Sequence, residues 1–248
     1  MINYTFDING IQVDASYSDR SVNELFLPLL RRLTEMQKEK GKRILVMLAA
    51  PPGAGKSTLC SFLEKLSKEN EDICDIQAIG MDGFHRRQEY LLSHTTFRDG
   101  KEIKMVEIKG APITFDLEKF TLAIEQVISG SDCYWPVYDR QLHNPVENVI
   151  HITGNIVLLE GNYLLLNEDG WRSLKEMADY TISITADESM LRKRLIDRKM
   201  KSGSGGDLEK STKFVDYSDM ANVRLCLEKS DKPDLHLVVL ESGEYVAK

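Results

Sequence analysis

Residues 44–58 read Ile44-Leu45-Val46-Met47-Leu48-Ala49-Ala50-Pro51-Pro52-Gly53-Ala54-Gly55-Lys56-Ser57-Thr58. The first six are apolar without interruption, which marks a short strand covered on both faces, as in a parallel sheet. The rest nearly matches G-x-x-x-x-G-K-[ST], a loop that cradles phosphates. Gly53 and Gly55 let the backbone turn sharply and aim successive N–H groups inward. A helix expected over about 56–69 adds its free N–H groups and the positive end of its dipole. Lys56 brings a point charge for the β- and γ-phosphates. The Ser57 hydroxyl is a ligand for Mg²⁺, and Thr58 reaches another phosphate. Gly53, Ala54, Gly55, Lys56, Ser57 and Thr58 are thus the expected ATP contacts. One position departs from the pattern, because its first glycine is Ala50. That position opens the loop at strand-like φ, where alanine is tolerated.

Working outward, apolar runs like 44–49 recur at 76–81, 156–159, 180–185 and 235–240. Helical patterns fall between several of them, at about 116–129, 171–177 and 187–200. The alternation implies βαβ units, hence an α/β fold with a mainly parallel central sheet and helices on both faces. Upstream, residues 2–17 alternate apolar and polar around Asn9-Gly10, a strong two-residue hairpin signal. Ser21 with Glu24 reads as a capping box. Val22, Leu25, Phe26, Leu29, Leu33 and Met36 follow helical spacing, with Pro28 expected to kink or restart the helix. Residues 1–42 are therefore expected to form a hairpin and helix packed on the core, with the phosphate-binding domain over 43–248.

The chain has 248 residues, 42% hydrophobic and 29% charged, which suits a single soluble α/β domain. No apolar run approaches the ~20 residues that span a bilayer, and no signal peptide is evident at the start. The net charge of −7 and the lack of a basic stripe argue against a nucleic-acid partner. The densest basic stretch, 31–43, reads as the solvated face of a helix. Cys60, Cys74, Cys133 and Cys226 are scattered without a C-x-x-C pair, which argues against a zinc site and fits a reducing, cytoplasmic compartment.

Two acids stand at strand ends, each followed by glycine: Asp82 in Met81-Asp82-Gly83-Phe84-His85 and Glu160 in Glu160-Gly161-Asn162-Tyr163. Ligands of open parallel sheets collect at the carboxyl ends of strands. Asp82 is assigned as the base that takes the proton of an attacking hydroxyl, and Glu160 as a partner of Ser57 on Mg²⁺, although the roles are exchangeable. The expected helix after Asp187 carries Arg192, Arg194 and Arg198. Leu191 and Leu195 should face the core, Arg194 and Arg198 share the adjoining face, and Arg192 points elsewhere. A guanidinium stabilises charge on a transferring phosphoryl group, so Arg194 and Arg198 join Lys56 and Asp82 as catalytic candidates. The stretch Ser202-Gly203-Ser204-Gly205-Gly206 reads as the hinge of a lid over about 192–213.

Six strings in this order, PPGAGKST at 51–58, MDGFH at 81–85, KGAPITFD at 109–116, PVYDR at 136–140, EGNYLLL at 160–166 and LRKRLIDR at 191–198, resemble the phosphoribulokinase/uridine kinase family, which includes bacterial pantothenate kinases. The likeness is greatest to its nucleoside/nucleotide kinase-like branch, with members associated with sugar transport. It implies a P-loop NTPase three-layer sandwich, ATP and Mg²⁺ as cofactors, and a small-molecule phosphoryl acceptor such as a nucleoside, sugar or pantothenate-like alcohol. It also implies that Lys109, Pro112, Asp139 and Arg140 lie near that acceptor, with His85 and Tyr138 beside them. Two positions depart from the branch's pattern. His143 stands where an acid is expected. Arg86-Arg87 is either an exposed pair or a site for an acceptor that already carries negative charge. Quaternary structure varies in the family, which leaves room for a homo-oligomer.

Two other classes compete with a kinase. A GTPase or ATPase switch would need [NT]-K-x-D after a late strand, and the nearest string, Asp231-Lys232-Pro233-Asp234, has the wrong first residue. A non-catalytic ATP-binding or regulatory module is suggested by Ala50 and would bind ATP without turnover.

Overall fold

The computed structural model describes residues 2–8, 11–201 and 206–248. Strand β3 (Ile44–Ala49) lies in a six-stranded sheet with β4 (Ile76–Gly80), β9 (Ile156–Gly161), β10 (Tyr180–Ala186), β11 (Leu235–Val239) and β12 (Tyr245–Ala247). Their order is β12-β11-β10-β3-β9-β4, parallel except for β12. The chain belongs to the three-layer P-loop class expected from its alternation of strands and helices. Side chains alternate across β3, so Ile44, Val46 and Leu48 enter one core and Leu45, Met47 and Ala49 the other. The first core is closed by α1 (Leu27–Lys40), α2 (Lys56–Lys68) and α5 (Glu188–Lys201), the second by α4 (Leu117–Ser129).

At the N-terminus β1 (Ile2–Ile8) pairs with β2 (Ile11–Tyr17), while the Asn9-Gly10 turn lies outside the described residues. Tyr17 stacks on Phe62 of α2 with ring centroids 4.1 Å apart. The expected capping box at Ser21 is not formed. Ser18 is the cap, its hydroxyl accepting from the Ser21 N–H at 3.0 Å, and Glu24 pairs with Arg20 instead. Pro28 marks a restart, because a π-helical turn over Val22–Phe26 gives way to α1. Gly41, at φ 67°, ends it. Arg43 is not on the solvated helix face expected of 31–43: its guanidinium binds the carbonyls of Gly154, Val127 and Ile152.

Between β4 and β9 the chain adds α3 (Gln88–Ser93), a hairpin of β5 (Thr95–Arg98) and β6 (Lys101–Lys104), and a second hairpin of β7 (Tyr134–Asp139) and β8 (Asn144–His151). Neither hairpin was read from the sequence. Residues 171–177, expected as a helix, form a 3₁₀ segment over Arg172–Met177. Beyond α5, helix α6 (Leu208–Phe214) leads through a π-helical turn, Val215–Asp219, into α7 (Met220–Lys229). The hinge expected at 202–206 lies outside the described residues apart from Gly206. All four cysteines are free thiols, and no helix among the described residues is long and apolar enough to cross a membrane.

Candidate active site

The phosphate loop sits where β3 meets α2. Gly53 and Gly55 have φ of 83° and 87°, which side chains other than glycine rarely adopt. A Cβ on Gly53 would also lie 3.1 Å from Leu195 Cγ, so the loop is pressed against α5. Ala50 needs no such freedom. It continues the strand, donating its N–H to Gly161 O at 3.1 Å, and it is buried. The glycine-to-alanine departure is therefore accommodated without strain. Ala54 is buried inside the loop, and Lys56, Ser57 and Thr58 form the first turn of α2.

Register brings the acids to this loop. Glu160 pairs with Leu48 of β3 on one side and Gly80 of β4 on the other. A Cβ on Gly80 would meet Glu160 Oε1 at 3.1 Å, so glycine there leaves room for the carboxylate. The Ser57 hydroxyl donates to Glu160 Oε1 at 2.6 Å. Asp82 follows β4 on a 3₁₀ turn, Met81–Phe84. Ser57, Asp82 and Glu160 line one cleft, with Tyr138 also in its wall. Protein surrounds the Asp82 carboxylate, yet 39% of its side chain opens into that cleft.

The two carboxylates are driven apart electrostatically. Burial would raise the pKa of Asp82, but His85, Lys56, Arg140 and Arg198 outweigh it and hold the group below its ordinary range. Burial pushes His85 itself toward the neutral form, so the permanent cations carry the effect at neutral pH. For Glu160 burial wins, helped by the Asp82 charge and opposed by Lys56 and the Ser57 hydrogen bond, and its pKa is raised. An oxygen pair of this kind suits Mg²⁺, which takes one or two protein oxygens and completes its shell with water and phosphates. Among the described residues no cluster of three or more His, Cys, Asp or Glu offers a cage for another metal.

The arginines of α5 separate. Arg192 points away and makes a bidentate pair with Asp216, at 2.6 and 2.9 Å. Arg198 shares the field of Asp82, Arg140 and Asp219 at the cleft. Arg194 instead neighbours Tyr245, whose hydroxyl faces Gly55.

The opposite wall comes from the β7–β8 hairpin. Trp135 Nε1–H donates to Gly80 O at 2.8 Å, and a Cβ on Gly83 would lie 2.3 Å from Pro136 O, so β7 rides directly on the Asp82 turn. His85 lies between Phe115 (4.0 Å) and Tyr138 (5.1 Å), and its Nδ1 donates to Asp82 O at 2.9 Å. A carbonyl partner requires that donor, which leaves Nε2 of the neutral ring as an acceptor. Lys109 Nζ lies 4.9 Å from the Tyr138 ring centroid. Pro112 starts a 3₁₀ turn, and the loop before it is held by Tyr163, whose hydroxyl donates to Gly110 O at 2.6 Å. Asp139 is occupied otherwise than expected: its Oδ1 accepts from Gln141 N and Leu142 N and shapes the hairpin tip. Arg86 is drawn away to Asp116 (3.9 Å) and the Tyr90 ring (4.7 Å), while His143, at φ 53°, turns its carbonyl to Lys109. Asp116 caps α4. Asp234, in the string tested as a guanine motif, binds the Thr181 N–H and hydroxyl and locks β10.

These features define a P-loop phosphotransferase. The chain belongs to the phosphoribulokinase/uridine kinase family and is an ATP-dependent phosphotransferase of that type. It is 38% identical over 239 residues to the Escherichia coli (strain K12) protein YggC, whose function is uncharacterised, covering 96% of each chain. It is 32% identical over 232 residues to a Schizosaccharomyces pombe protein provisionally named uridine kinase C227.14, covering 92% of this chain and 94% of that one. Among solved structures, a provisionally named fructose transport system kinase from Silicibacter sp. TM1040 superimposes with a TM-score of 0.71 at 27% identity, over 84% of this chain and 98% of the other. No family model matches.

Proposed function

We propose that the chain moves the γ-phosphoryl group of ATP onto a hydroxyl of a small metabolite, with Asp82 as the base. The acceptor oxygen attacks the γ-phosphorus, and the bond from phosphorus to the β–γ bridging oxygen breaks. ADP leaves, and the hydroxyl proton passes to the Asp82 carboxylate. One observation carries this reading: Asp82, whose carboxylate is favoured by the cations around it, and the Ser57–Glu160 pair line the same cleft at the end of the phosphate loop.

The loop from Gly53 to Thr58 holds the triphosphate through its N–H groups. Lys56 and Arg198 act on the γ-phosphoryl group, and Arg194, whose charge reaches Tyr245, supports them from beside Gly55. Ser57 and Glu160 would hold Mg²⁺, which when bound neutralises charge on the β- and γ-oxygens. The acceptor lies along Tyr138 and His85, whose free Nε2 receives a hydrogen bond from it. Lys109 and Arg140 flank that surface, and Pro112 shapes its floor. Asp139 supports the wall without contact. A cytoplasmic location fits ATP use and four free thiols.

Asp82→Asn is the test. ADP release with an accepted alcohol should fall about 10²-fold or more, while calorimetric ATP binding stays nearly unchanged. Near-full turnover would remove Asp82 from the base role. A screen of ADP release across nucleosides, sugars, sugar phosphates and vitamin alcohols identifies the acceptor, and hydrolysis without any acceptor would favour an ATPase.

A further inference from the structure

Against Tyr138, which lines the cleft, stands a cation that no acid neutralises. Lys109 Nζ donates to Gln88 Oε1 at 2.6 Å and to the His143 carbonyl at 3.2 Å, both uncharged, and rests over the Tyr138 ring. An ammonium has three N–H donors, so one remains. Desolvation alone acts on it, with no carboxylate in opposition, and its pKa is pushed down to about 8. Lys109 is half-buried, and even partial desolvation of an ammonium carries a cost that a counter-charge would offset.

Arg140 repeats the pattern close enough for its charge to reach both Tyr138 and Asp82. Its Nε is shielded from solvent and has no hydrogen-bond partner. Its charge is felt by Asp82, His85, Tyr138 and Glu160, yet none of the ion pairs among the described residues includes it. Acids are not scarce. The chain has 39 against 32 basic residues. Nearby cations do find them: Lys119 pairs with Glu147 on β8, and Arg86 with Asp116.

We infer that the phosphoryl acceptor carries an acidic group, a carboxylate or a phosphate, besides its hydroxyl, and that Lys109 binds this group with Arg140 beside it. The inference rests on the kinase reading above. It places the hydroxyl at Asp82 and the acid one aromatic ring away, across Tyr138. The expected role of Arg86-Arg87 toward an anionic acceptor thereby moves to Lys109 and Arg140, since Arg86 is already engaged.

The experiment compares ADP release for matched neutral and acidic alcohols: glycerol with glycerate, glucose with gluconate, and ribose with its terminal phosphate ester. Acidic members should be preferred about 10- to 100-fold in kcat/KM, the range of a charge-assisted hydrogen bond. The carboxylate and phosphate pairs show which acid is taken. Lys109→Gln should erase the preference, and Lys109→Arg should keep most of it. Equal use of both members, or preference for the neutral one, overturns the inference and leaves the kinase reading standing. So does a Lys109→Gln variant that lowers both members of a pair alike, because the lysine then only fastens Gln88 to the hairpin tip. No ADP release from any pair or from the wider screen of nucleosides, sugars, sugar phosphates and vitamin alcohols, with ATP binding intact, overturns both readings.

Discussion

The two walls of the cleft are built in different ways. The nucleotide wall is nearly continuous in sequence: β3, the loop and α2 run unbroken from Ile44 to Lys68, and only Glu160 is brought in by strand pairing. The acceptor wall is gathered from the turn at 81–85, the loop at 109–116 and the hairpin at 134–151. It is fastened by single contacts: Trp135 to Gly80, Gly83 against Pro136, and Tyr163 to Gly110. One wall is dictated by local backbone chemistry and the other by docking. Substitutions in the first should strike ATP directly. Substitutions in the second should strike the acceptor and the stability of the wall together.

Lys56→Ala is the largest expected break on the nucleotide side. No hydrogen bond or ion pair among the described residues engages this ammonium, which fits the proposed phosphate role. Turnover should fall by about 10³-fold or more, with weakened ATP binding in calorimetry and little change in melting temperature. If ATP binds Lys56→Ala as it binds the wild type, the loop is not the triphosphate site.

Gly83→Ala is the matching break on the acceptor side. Its φ is ordinary, so the glycine is needed only for the approach of Pro136 O, 2.3 Å from where a Cβ would sit. The hairpin must shift, at a cost of about 1–3 kcal/mol in stability. Displacing Tyr138 and Arg140 relative to Asp82 should lower kcat/KM for the acceptor about 10- to 100-fold while KM for ATP moves little. A variant with unchanged melting and unchanged acceptor kinetics would show that this contact does not hold the wall.

The same contrast explains what the sequence disclosed. The five parallel strands and the loop are legible because each is a short, mainly apolar run or a fixed spacing of special residues. Asp82 and Glu160 were legible as acids leaving such runs. The β7–β8 hairpin was not, since Pro136 and Pro145 interrupt its alternation and its stability comes from Trp135 and Gly83 docking on a distant strand. The β5–β6 hairpin did leave a signal. Asp99-Gly100, both at positive φ (52° and 73°), is a two-residue turn between alternating segments. No sequence pattern announces that Lys109 lacks an acid, because that depends on which side chains the docked loops bring near it.

The smallest expected effect sharpens the comparison most. If the nucleotide wall is complete as it stands, restoring the pattern's first glycine by Ala50→Gly should gain nothing. The Ala50 methyl is packed in the core, 3% exposed, and its backbone already continues the strand. Removing it adds freedom to the unfolded chain and takes a buried group away, a loss of roughly 0.5–1 kcal/mol. In a chain of this size that is a drop of about 1–4 °C in Tm, readable by scanning calorimetry. Turnover and ATP affinity should stay within about twofold of wild type, because the N–H groups proposed to face the phosphates belong to Gly53 and the residues after it. A several-fold gain in kcat or in ATP affinity would contradict this, by showing that alanine holds the loop away from its working shape and that this wall too depends on a contact its local sequence does not supply.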